Sequence, residues 1–207
     1  MSDGPRGLKD PAVLRARLDR ISEPHVAPLN EWVFLLRARL GGDAIVPWFD
    51  PADGGVDATI LWLLGAPGPK STKEHGGSGI ASCDNDDATA ANTWQARVDA
   101  KVDRRRVVHG SITPYVSGSA KARPPEPGDV GDPGPLLAEL LALLPNVRCV
   151  ILAGAAAKAS WTAHRPDDFA GAVIDCPHPS PTNWNTRPAT RTAVVDAWRT
   201  AARLSAY

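Results

Sequence analysis

Apolar positions recur with two different periods along this chain, and the two alternate. Residues 11–20 set Val13, Leu14, Arg17 and Leu18 at helical spacing, and 28–40 opens on proline and closes on Gly41 and Gly42, a helix with start and stop signals. Both predict an N-terminal helical cover. The run VDATILWLLG at 56–65 is nearly all apolar, too short for a helix and ended by Gly65, which predicts a central strand buried on both faces. Residues 89–102 bring Ala91, Trp94, Val98 and Val102 to one helical face. A strand at 106–113, a helix at 136–144, a strand at 147–154, a helix at 155–164, a strand at 170–176 and a last helix at 189–204 complete the series.

Strands separated by helices of this length imply right-handed crossovers and one parallel sheet. The predicted architecture is α/β: a three-layer sandwich of a four-stranded parallel sheet with helices on both faces. A single domain over 1–207 fits the length, with a helical cover at 1–44 and an α/β core at 45–207. Such sheets bind ligands beyond the carboxyl ends of their strands. The loops that follow the first, second and fourth strands are rich in Gly, Pro, His, Ser or Asn, so candidate chemistry is sought there.

Composition narrows the classes. Lys plus Arg and Asp plus Glu are both 23, a formal net charge of zero, which excludes attachment to a polyanion by bulk charge and requires a local basic patch instead. Arg97, Lys101, Arg104, Arg105, Arg106, Arg187 and Arg191 are candidates for it, with Lys70 and Lys73 near the strand ends. Arg199 and Arg203 read as solvated. The hydrophobic share of 43% is enough to bury a core. Glycine (18) and proline (20) together exceed the roughly 12% of average proteins, so many residues shape turns and loops. Cys83, Cys149 and Cys176 are widely spaced, without a CxxC pair, and read as reduced thiols rather than a disulfide, zinc or iron–sulfur framework. No apolar run approaches the roughly 18 residues of a membrane span, and MSDGPRGLKDP lacks the apolar core of a signal peptide. A cytoplasmic protein without membrane contact is expected.

Three loops carry polar groups. GAPGPKST imitates a phosphate-binding loop, but Pro69 and Leu64 stand where that pattern needs glycine, and proline has no N–H to offer a phosphate. SCDNDDAT carries Asp84, Asn85, Asp86 and Asp87 without the spacing of a calcium loop. Asp87 or Thr89 is placed to cap the following helix, which leaves other carboxylates for general-base work or for stabilising a developing cation. The third loop, Cys176-Pro-His-Pro-Ser-Pro running into Thr182-Asn-Trp-Asn, frames one imidazole and one hydroxyl with prolines and so restrains both.

Taken in order, LLGAPGP, GSGIASCDNDDATAANTW and HPSPTNWN resemble the uracil-DNA glycosylase superfamily over roughly residues 57–204. The first is similar to the family's Gly-x-x-Pro motif, the second to the segment lining the base pocket, and the third to the signature that begins His-Pro-Ser. The resemblance implies a uracil-DNA glycosylase-like fold, DNA held at the carboxyl edge of the sheet, and base excision repair by base flipping. A donor must then meet the departing base and a carboxylate or dipole the sugar. It assigns His178 as donor, Asp84 as carboxylate with Asn85 beside it in the catalytic set, and Ser180 as a phosphate grip. Asn183 or Trp184 would wedge into the vacated stack. Pro67 and Gly68 would shape the pocket floor. No cofactor or metal is required. The expected partner is DNA containing a deaminated base, and the protein is expected to be a monomer.

Three positions depart from the family pattern. Ala66 stands where many members carry an Asp or Asn that positions water, Ile80 where the flipped base usually meets an aromatic ring, and Ser111 where an Asn usually reads uracil's edge. They motivate an alternative, a catalytically weak or inactive member that binds damaged DNA. A third reading is a nucleoside or nucleotide N-glycosidase.

Overall fold

The computed structural model describes residues 4–42, 44–117 and 131–206. In chain order the elements are α1 (Pro11–Leu18), α2 (Ala27–Leu40), β1 (Ala44–Ile45), β2 (Trp48–Phe49), β3 (Ile60–Leu64), β4 (Ile80–Ala81), α3 (Ala88–Asp99), β5 (Val107–Ser111), β6 (Val116–Ser117), α4 (Pro133–Ala142), β7 (Cys149–Ala153), α5 (Ala155–His164), β8 (Ala172–Cys176), α6 (Pro181–Thr186) and α7 (Pro188–Leu204). The predicted Pro-rich loop falls largely at 118–130, outside the described residues.

The main sheet is four-stranded and parallel, in the order β5-β3-β7-β8. Side chains alternate across it, and each face has its own apolar cluster. Leu61, Leu63, Val108, Val150 and Leu152 pack with residues of α2, α4 and α5. Ile60, Trp62, Val107, Cys149, Ile151 and Ala153 face the other way, against Ala96 of α3 and Val194, Ala197, Trp198 and Ala201 of α7. The helices therefore cover both faces, as the nearly continuous apolar strands predicted. Trp62 stacks on Trp198 with centroids 4.7 Å apart and planes 4° from parallel.

Two features were not legible as periodicity. Two-residue pairings join β1 to β6 and β2 to β4, too short to leave a pattern. The segment after His178, expected as loop, contains α6, which Ser180 caps by accepting a hydrogen bond from the Asn183 N–H. All three cysteines are buried free thiols, as read from their spacing, and burial pushes Cys149 up to about 11 and Cys176 up to about 12. Among the described residues, no helix is long and apolar enough to cross a membrane.

Candidate active site

A cavity of about 460 Å³ opens beyond the carboxyl ends of β3 and β5, the edge at which parallel sheets bind ligands. Four chain segments build its wall, one of them the end of β5. The loop after β3 supplies Ala66, Pro67, Gly68 and, at the exposed rim, Lys70. That loop folds back tightly, since a Cβ on Gly77 would lie 2.5 Å from the Lys70 backbone. The stretch from β4 into α3 supplies Ala81, Asn85 and Asp87, and the loop after β8 supplies His178.

His178 is held from three sides. Gly154, at the end of β7 with φ +95°, leaves room for the imidazole: a Cβ there would stand 2.8 Å from the His178 Cβ. Asn183 Nδ2 donates to the His178 carbonyl at 3.2 Å, and Asn92 Nδ2 of α3 donates to the Pro179 carbonyl at 2.9 Å. The ring is half-buried. Burial pushes its pKa below the ordinary imidazole value, opposed by the nearby Asp87 carboxylate. At neutral pH the ring is uncharged and able to donate one hydrogen bond.

Asp87 caps α3 as the sequence predicts, its Oδ1 accepting from the Ala90 N–H at 2.9 Å. Its Oδ2 has no hydrogen bond among the described residues, so the carboxylate keeps an oxygen for the cavity it lines. Asn85 also lines the cavity, but its amide is engaged: Oδ1 accepts from Ser78 Oγ at 2.6 Å and Nδ2 donates to the Ile80 carbonyl at 2.9 Å.

Asp84 is placed otherwise than expected. It is fully buried and does not line the cavity; its Oδ2 accepts from Arg17 Nη2 at 3.0 Å and Arg104 Nη1 at 2.7 Å. The two guanidiniums form a buried ion cluster with three carboxylates. Arg17 also holds Asp50 at 2.7 Å, and Arg104 holds Asp50 and Asp53, each at 2.8 Å. Burial raises the Asp84 pKa against the pull of Arg104 and Arg17, and its bonded oxygen meets those guanidiniums rather than the cavity. Ile80 is likewise fully buried away from the cavity, because alternation along β4 presents Ala81 instead. The expected apolar platform under a flipped base is therefore absent at Ile80.

Ser111 does line the cavity, and so does Ala66. Ser180, Asn183 and Trp184 do not. Ser180 and Asn183 hold the turn into α6, and Trp184 packs on the α3/α7 face with the Arg191 guanidinium 5.8 Å from its ring centroid. Much of the basic run around the end of α3 is structural as well, although Lys101 and Arg105 are exposed. Arg97 is buried and donates to the Val102 carbonyl at 3.0 Å, Arg104 belongs to the ion cluster, and Arg106 donates to the Ala202 carbonyl at 3.0 Å. Arg105 donates to the Asp53 carbonyl at 3.1 Å. Lys70, Lys73 and Arg187 are exposed, and Arg191 is exposed but paired with Asp99 at 2.8 Å.

One imidazole escaped sequence reading. His109, on β5, lines the cavity although only 5% exposed, its Nδ1 2.8 Å from Asp53 Oδ2. Its Nε2 is buried with no hydrogen-bond partner among the described residues. The available signal was a titratable residue inside an otherwise apolar strand, VVHGS, two positions before the strand's end. No protein-family model matches the chain, and no curated protein matches its sequence.

Proposed function

We propose that the protein is a DNA glycosylase of the uracil-DNA glycosylase type, hydrolysing the N-glycosidic bond of uracil or a related deaminated base. The observation that carries this reading is the proline-framed, half-buried His178 in the wall of a cavity that the Ala66–Pro67–Gly68 segment also lines. As the bond between C1′ and the base nitrogen breaks, negative charge gathers on the base and positive charge on the sugar. His178 donates its N–H to the base carbonyl oxygen and holds that charge without transferring a full proton. Asp87, which lines the same cavity, replaces Asp84 as the carboxylate that balances the sugar cation and orients the attacking water. The water's oxygen bonds to C1′, its proton passes to solvent or to Asp87, and the base leaves with the former bonding pair. Lys70, Lys73 and Arg187, exposed near the strand ends, are the cations offered to DNA phosphates.

The reading is tested by incubating the protein without added metal with oligonucleotides carrying uracil, hypoxanthine, xanthine or mismatched thymine, then cleaving abasic sites with alkali. A second reading, damage binding without cleavage, is favoured by one observation: the β3 loop presents Ala66 and Pro67 where a water-holding side chain would stand. Damage-selective DNA binding with no base release from any of these substrates would select it.

A further inference from the structure

We propose that His109, oriented by Asp53, determines specificity at the inner end of the cavity by accepting a hydrogen bond from the ring N–H of a lactam or imide base. The inference rests on the nucleobase reading above and adds to it the group that recognises the base.

Its position comes from the sheet. His109 pairs in register with Trp62 of β3, and both line the cavity while lying within the strands. Ala66, Pro67, Gly68 and His178 lie on loops beyond the strand ends and form the outer part. A base entering on its sugar therefore presents its far edge to the level of His109.

The tautomer follows from Asp53. That carboxylate is fully buried, receives Arg104 Nε at 2.8 Å and the His109 backbone N–H at 3.2 Å, and stays ionised well below the usual carboxylate range. Burial alone would raise its pKa; the Arg104 guanidinium and the hydrogen bonds donated by His109 and Arg104 hold it down. A ring nitrogen 2.8 Å from an ionised oxygen must carry the proton, so Nδ1 is the donor. In the neutral ring the lone pair then sits on Nε2, the buried atom with no partner. A buried acceptor left unmade is costly, and a ligand N–H supplies what is missing.

Deamination changes the atom that would meet it. Uracil carries N3–H and hypoxanthine N1–H, whereas cytosine and adenine carry a lone pair at the same ring positions. In one pose the first pair of bases completes the hydrogen bond and the second pair sets lone pair against lone pair.

The test uses free bases and the full-length protein at mildly alkaline pH, so it needs no cleavage. Wild type should bind uracil over cytosine, and hypoxanthine over adenine, by about tenfold or more. His109→Asn keeps a donor toward Asp53 but removes the Nε2 acceptor, and its ratio should fall to about one. His109→Gln, whose amide oxygen can reach further, should restore part of it. Nitrogen NMR of histidine-labelled wild type should show His109 protonated on Nδ1 alone, with the Nε2 resonance moving on addition of uracil and staying put with cytosine. That measurement decides the matter if either variant fails to fold. A wild type without preference, a folded His109→Asn that keeps the ratio, or an Nε2 that is protonated or unmoved by uracil overturns the proposal. Base preference without release from DNA would leave this inference standing and overturn cleavage; release with an unchanged ratio in His109→Asn would do the reverse.

Discussion

Gly154 at the end of β7 and His178 after β8 fit together only because the glycine has no side chain: a Cβ at Gly154 would stand 2.8 Å from the His178 Cβ. The glycine also sits at φ +95°, where an L side chain is strained. Gly154→Ala should therefore cost about 1–3 kcal/mol in unfolding free energy. It should slow base release by more than the lost stability explains, because the imidazole is pushed from its position. Denaturant titration and single-turnover kinetics on the same sample separate the two effects.

Asp87 and His178 are coupled through charge. The Asp87 carboxylate raises a pKa that burial lowers, so removing it should leave the burial effect unopposed. Asp87→Asn keeps a capping side chain for α3 and should lower the His178 pKa further, read by NMR titration of the ring. A folded-state pKa below the unfolded value of about 6.5 means that the neutral ring's contribution is present above that value. It is lost as pH falls toward the folded pKa. An unchanged or raised His178 pKa in Asp87→Asn would contradict the electrostatic link.

Asp84 should matter through folding. Arg104→Met leaves Asp50 and Asp84 with Arg17 alone and takes from Asp53 the guanidinium that holds it, and should cost about 3–5 kcal/mol, measured by chemical denaturation. Asp84→Asn should lower the melting temperature while the remaining folded protein keeps most of its base-release rate. A fully stable Asp84→Asn with abolished release would return Asp84 to the chemistry.

The framework was legible because each central strand is short and apolar and each helix amphipathic; Trp62, Val108 and Ile151 fall where the pattern sets them. His178 was legible because three prolines surround it locally. Asp84 was not, since the Arg17 and Arg104 that engage it lie 67 and 20 residues away. Nor were Arg104, Arg105 and Arg106: a basic run reads as a surface patch until the fold supplies carboxylates and carbonyls around it. Ile80 and Ala81 differ by one position on β4, and one position decides which of them meets the cavity.

In the proposed reaction neutral His178 stabilises the departing base. The most direct measurement is single-turnover release of free uracil from a uracil-containing oligonucleotide, without metal, by wild type and by His178→Ala. Wild type should release uracil and leave an abasic strand, and a folded His178→Ala should be slower by about a hundredfold to a thousandfold. No release by wild type from uracil, hypoxanthine, xanthine or mismatched thymine substrates, or equal rates in the two proteins, would contradict the account.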